Sequence, residues 1–350
     1  AAAPPAPPAV PLTDDLLESY RAAAGSPAFA AAADKGGRRR AWATGERVRG
    51  MGLPVSTDDK WHMGSITKSM TATLVARLVD EGAIAWTDTV GDLLGQTAPD
   101  MQPAYRPTTF RHLLSHRAGL PGNLPLTELV KFARDNDDPR EERRAYARQA
   151  LAMAPSGPAE TTFEYANNGY VVAGAMLEAK LGESWETLAR RHLFEPLGLR
   201  SAGFGAPGAK GTLDQPAGHA MLPPGSGRRM AFRIGDAPTD NPAVLGPAGR
   251  AHLSMADLIT YLAAHRDRSA FLKPESWRTL HTPPFGGDYA LGWNVRKDGS
   301  LWHNGSNTLW YAEAAFHPGE GIAWAAVAND GSPPTSPAVG RAAIAARAAV

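Results

Sequence analysis

The sequence predicts an α/β fold: one antiparallel sheet flanked by N- and C-terminal helices, plus a mostly helical insertion. Three observations predict it. Two strand-like runs near the start surround a Lys35-Gly36-Gly37 turn. Three more runs stand close to the end, so both termini feed one sheet. Between them, over 86–240, helical periodicity alternates with Pro/Gly-rich loops and no convincing strand pair. The expected organisation is a flexible stub at 1–11, a discontinuous sheet domain from 12–85 and 241–350, and the helical insertion 86–240. The active site falls between the two.

Taken in order, Thr13 is suited to cap a helix over Asp14–Ala24, with Leu16, Leu17 and Tyr20 on one side and Gly25 as its stop. Pro27–Ala33 and Arg39–Val48 read as the first two strands. Met70, Leu74, Val75, Leu78 and Val79 recur at helical spacing, and Gly82 ends that helix. In the insertion, helices are expected at Thr108–Ser115, Thr127–Arg134, Arg140–Met153, Tyr170–Leu181 and Trp185–Leu193. Ser254 is suited to cap Met255–His265, with Asp257 at the capping-box position. Leu301–His303, Tyr311–Phe316 and Ile322–Asn329 read as closing strands, and Ser336–Val350 as a terminal helix.

Composition excludes several function classes. Net charge is +1, which offers no field for nucleic acid or an anionic membrane. Arg38–Arg40 and the charged run Asp138–Arg148 read as solvated faces. Without cysteine there is no thiol nucleophile, disulfide or cysteine metal site. No apolar run approaches the ~20 residues that span a bilayer. The Ala/Pro-rich start, without methionine, reads either as the flexible stub left after signal removal or as an arbitrary boundary of the sequence. Periplasmic or secreted residence is the resulting expectation, with the cytoplasm as the alternative. No oligomeric state is assigned.

Chemistry concentrates in three places. Ser65-Ile66-Thr67-Lys68 puts a serine at a helix N-terminus and a lysine three residues on, on the same face. That lysine can reach the hydroxyl and take its proton. Tyr165-Ala166-Asn167 offers a phenol that a cationic lysine would make easier to ionise, and an amide suited to hold Lys68 or a substrate amide. His303-Asn304-Gly305 ends a strand where glycine allows close backbone approach, and the histidine could meet a substrate carboxylate or the tyrosine.

Together these motifs resemble the penicillin-recognising serine hydrolases: class C β-lactamases, D-alanyl-D-alanine carboxypeptidases and esterases of the same fold. Leu113-Leu114-Ser115-His116-Arg117-Ala118-Gly119-Leu120-Pro121, Glu195-Pro196-Leu197-Gly198-Leu199, the run Ala248–Leu258 and Tyr289-Ala290-Leu291-Gly292-Trp293 resemble further segments of that family. The resemblance implies a β-lactamase/transpeptidase-like fold, with Ser65 as nucleophile and Lys68 and Tyr165 sharing proton transfer. It implies Asn167 as orienting residue and the backbone amides of Ser65 and Ser306 as the oxyanion hole. His303 and Gly305 belong to the substrate-binding strand. No cofactor and no metal are implied, and the substrate is a small ester, peptide or β-lactam.

Two departures shift the expected substrate. His303 stands where β-lactamases of this kind carry lysine. Gly331 and Pro334 stand where their carboxylate-binding asparagines would fall. A carboxylesterase is therefore expected first, a D-amino-acid-specific peptidase or D-Ala-D-Ala carboxypeptidase second, and a β-lactamase third. The non-enzyme alternative is a sensor that acylates with β-lactam and stops. Trp293, Trp302, Trp310 and Tyr311 are either core packing or an aromatic substrate wall. His112 and His116 have the spacing of a zinc pair but lack the H-E-x-x-H glutamate.

Overall fold

A computed structural model describes residues 8–236 and 238–350. The expected stub lies largely outside the described residues. Pro8–Pro11 within it are exposed, and the Leu12 amide then donates to the Ala345 carbonyl, so the chain is tied down from residue 12.

The strands are β1 (Ala28–Lys35), β2 (Arg38–Gly45), β3 (Lys60–His62), β4 (Gly203–Phe204), β5 (Gly218–Met221), β6 (Arg229–Phe232), β7 (Ala251–Ser254), β8 (Asn294–Val295), β9 (Leu301–Gly305), β10 (Tyr311–His317) and β11 (Ile322–Ala328). Six form one antiparallel sheet in the order β2-β1-β11-β10-β9-β8. The sheet from both termini is thus present, with β8 as an added edge. Alanine lines both faces of β1 and β11, and these small side chains admit helices on each side. The Met255–Asp267 helix covers one face. Asp14–Ala24 and Thr335–Ala348 cover the other, around Leu17, Phe29, Trp324 and Val339.

The opening helix starts where Thr13 Oγ1 accepts the Leu16 amide and stops at Gly25, whose φ is +69°. A Cβ would strain that left-handed geometry. Ser254 caps its helix through the Asp257 amide, but the Asp257 carboxylate turns away to the Ser201 amide and hydroxyl.

The insertion is less uniformly helical than expected. β5 and β6 form a hairpin, and β4 pairs with β7 beside β3. These strands are two to four residues long, too short to show alternation. The hairpin is fixed to the sheet domain: the His219 amide donates to the Leu309 carbonyl, and Arg229 pairs with Asp330. The helix expected over Thr127–Arg134 is one turn, Leu126–Leu129, and Trp185–Leu193 becomes an α-turn followed by a π-turn. The charged run Asp138–Arg148 is not wholly solvated either. Arg143 is fully buried and bridges Glu178 and Glu186, joining three helices.

Candidate active site

Ser65 sits in a single 3₁₀ turn, Gly64–Ile66, that runs straight into the Thr67–Asp80 helix. Gly64 makes the turn with φ +49°. Lys68, one helical turn on, is completely buried. Its Nζ lies 3.0 Å from Ser65 Oγ, 2.7 Å from Asn167 Oδ1 and 2.8 Å from the Ala248 carbonyl. Three partners satisfy a buried nitrogen, but none is an anion. Burial therefore lowers the Lys68 pKa to about 7. In its neutral form the two N–H bonds can serve Asn167 and Ala248, leaving the lone pair for the Ser65 hydroxyl proton.

Tyr165 arrives on the segment before the Asn167–Leu181 helix. Its ring centroid lies 4.8 Å from Lys68 Nζ, and its hydroxyl is close enough to Ser65 for the serine to favour the phenolate slightly. The residue is 41 % exposed, yet its hydroxyl end is crowded, and this burial pushes its pKa up to about 12. The expectation that lysine makes this tyrosine easy to ionise is therefore reversed. The lysine gives up its charge more readily and the phenol keeps its proton. Asn167 is itself oriented, its amide donating to Asn123 Oδ1 at 2.7 Å.

β9 lies against the nucleophile turn. A β-carbon on Gly305 would stand 2.1 Å from the Met63 carbonyl oxygen and 2.5 Å from the Ser65 amide nitrogen. One on Gly64 would stand 2.3 Å from the Ser306 amide nitrogen. Glycine at both positions lets the backbones at Ser65 and Ser306 approach closely, the closeness that two oxyanion-hole donors would need. The Ser306 hydroxyl is committed to the Trp310 carbonyl, so only its backbone is available.

The His303 ring lies 6.3 Å from the Tyr165 ring, but both of its nitrogens are engaged by other groups. It is 2 % exposed, its Nε2 meets the Tyr289 hydroxyl at 2.8 Å, and its Nδ1 donates to the Asn304 carbonyl. Burial lowers its pKa to about 3, so the imidazole is neutral. Strand alternation sends its side chain inward with Leu301 and Gly305. The tryptophans go to packing: Trp293 and Trp310 are core, and Trp302 and Tyr311 pack on the sheet's other face. No side chain fits at Gly331, where a β-carbon would stand 1.9 Å from the Thr308 carbonyl oxygen.

Sequence reasoning missed several supports. His116, with φ +59°, accepts the Ala166 amide at 2.9 Å and so pins the Tyr165 segment. His112 instead caps its own helix at Thr109 and meets Glu160. Tyr289 holds His303, and Gly292 lets its segment touch the nucleophile helix at Ser69. These residues stood inside recognised segments, but only the fold shows what each one touches.

The profile of the family described as Beta-lactamase matches residues 13–349. Penicillin-binding protein 4 of Amycolatopsis lactamdurans is 31 % identical over 256 residues, which are 68 % of this chain and 58 % of that protein. Esterase EstB of Burkholderia gladioli is 28 % identical over 172 residues, 46 % of this chain and 43 % of that one. The chain spans little more than half the length of the first curated relatives it matches. Among solved structures, the octameric penicillin-binding protein homologue from Pyrococcus abyssi superposes with a TM-score of 0.74 at 25 % identity, covering 95 % of this chain and 76 % of that one.

Proposed function

Because the chain belongs to the Beta-lactamase family, we propose that it is a serine hydrolase that works through an acyl-enzyme on Ser65, with uncharged carboxylic esters as its substrates. The observation that carries this is the buried Lys68 amine held 3.0 Å from Ser65 Oγ without an anionic partner.

Neutral Lys68 takes the Ser65 proton as Oγ bonds to the ester carbonyl carbon. The Ser65 and Ser306 amides receive the oxyanion, whose charge exists only at that stage. When the C–O bond to the alcohol breaks, the proton returns from Lys68 to the leaving oxygen, through the Tyr165 hydroxyl, which gives one proton and takes another. Water then attacks the acyl-enzyme by the same groups in reverse. The neutral, enclosed His303 supports esters over β-lactams and carboxylate-bearing substrates, because it supplies no cation for a carboxylate.

A second reading, hydrolysis of D-configured peptides or amides, is favoured by the edge of β9. β8 pairs only with Leu301 and Trp302, so His303–Gly305 present backbone on that side for an extended substrate. A substrate panel on wild type and Ser65→Ala separates the two. Turnover of short-chain p-nitrophenyl esters by wild type alone supports the first reading. Release of D-alanine from a D-Ala-D-Ala peptide without ester turnover replaces it with the second, and a stable penicillin adduct with no turnover of either replaces both with a sensor.

A further inference from the structure

A buried carboxylate outside the Ser65–Lys68–Tyr165 group is bonded to a side chain beside each of the two segments that carry the Ser65 and Ser306 amides. Asp240, 7 % exposed, accepts the His62 Nε2 proton at 2.7 Å and the Arg250 Nε proton at 3.2 Å on Oδ2. Its Oδ1 accepts the Asn307 amide at 3.0 Å and the Asn241 backbone amide at 2.8 Å. His62 in turn accepts the Gly64 amide on Nδ1 at 3.0 Å. That backbone donor fixes the tautomer: the ring proton must be on Nε2, facing Asp240. Asn307 uses its Oδ1 for the Leu309 amide and so braces the turn that begins at Ser306. His62 is 1 % and Asn307 4 % exposed.

Gly64 immediately precedes Ser65, and Asn307 immediately follows Ser306. The two oxyanion-hole amides come from segments about 240 residues apart in the chain. Ser306 is one residue from Asn307, a direct partner of Asp240, and Ser65 is one residue from Gly64, whose amide is held by Asp240's other partner, His62. Fully satisfied buried polar networks are rigid and specify one geometry, and a misplacement near 1 Å at a reacting centre costs about a hundredfold in rate.

We propose that Asp240, through His62 on one side and Asn307 on the other, is the positioning residue that sets the spacing of the Ser65 and Ser306 amides. The inference rests on the Ser65 reading above.

The test uses Asp240→Asn, His62→Asn and Asn307→Ala with wild type as reference. First, wild type must be labelled by a fluorophosphonate at Ser65; if it is not, the Ser65 reading fails before the variants are considered. Each variant is then assayed on a matched oxoester and thionoester, and for inhibition by an aryl boronic acid. A displaced oxyanion hole lowers oxoester kcat about 10- to 100-fold with KM within about twofold. It lowers thionoester kcat less, because sulfur accepts hydrogen bonds weakly, and it weakens the boronic acid in proportion to lost kcat/KM. Asp240→Asn takes away the buried charge partner of Arg250, leaving it only the exposed Asp135 at 3.8 Å, and is prone to unfold, so the two single-arm variants decide the matter. Folded His62→Asn and Asn307→Ala proteins with wild-type oxoester kcat, or with equal losses on both esters, overturn the proposal.

Discussion

Lys68 has three polar neighbours, and it can donate to all three only when protonated. Its pKa of about 7 makes the free amine available near neutrality. The base form is the one that accepts the Ser65 proton, so the active fraction grows as pH rises. The kcat/KM for an ester should climb about tenfold per pH unit below the Lys68 pKa and level off above it. A rate profile over pH 6 to 9 checks this, and a flat profile across that range contradicts a lysine base. Tyr165, with its pKa pushed up to about 12, should contribute no alkaline limb below pH 10. Ser65, Lys68, Tyr165 and Asn167 were legible in the sequence because spacing and motif order name them. The direction of the Tyr165 shift was not legible. It depends on how deeply both groups are buried, and burial is a property of the packed insertion. The enclosure of His303 by Tyr289 was hidden for the same reason.

At the scale of elements, β9 and the turn before the nucleophile helix are held together by contacts only glycine permits. Gly305→Ala would press a methyl group into the Met63 carbonyl and the Ser65 amide, two backbone atoms that cannot swing aside. The variant should lose more than about a hundredfold in kcat/KM and lower Tm by several degrees, by about 1–3 kcal/mol of overpacking. Ester assay and thermal melt together check it, and a variant with wild-type kcat/KM would show that β9 is not a wall of the hole. The principal strands and both terminal helices were legible from periodicity, Thr13 and Gly25 included. β3, β4, β7 and β8 were not, because two to four residues carry no period. Their pairing is decided by partners far away in sequence, as Lys60–His62 against His252–Ser254 shows. Arg143 was misplaced for a related reason: a charged residue on a charged helix reads as exposed until Glu178 and Glu186 arrive from two other helices to bury it.

At the scale of the whole molecule, the buried His116, His219, His265, His281 and His303 and the half-buried His252 have pKa values below the usual 6.5. Burial disfavours the imidazolium in each. His265 and His281 also contact one another at 2.9 Å within an aromatic cluster. The unfolded chain protonates near pH 6.5 while the folded chain resists. Stability is therefore fully present above that pH and is lost as pH falls toward the folded values, which are about 4 for His252 and about 3 for His281 and His303. Each such histidine costs about 1.4 kcal/mol per pH unit in that window, so a few of them rival an ordinary folding free energy of about 5–15 kcal/mol. Urea midpoints should fall steeply from pH 7 to pH 5, and a midpoint unchanged over that range contradicts the account. The fold, the buried amine and the paired amides all converge on one atom, Ser65 Oγ. Intact-mass spectrometry after fluorophosphonate treatment reads that atom most directly. One adduct per chain is expected, mapped to Ser65 and absent in Ser65→Ala. No adduct on wild type, or one that persists in Ser65→Ala, contradicts it.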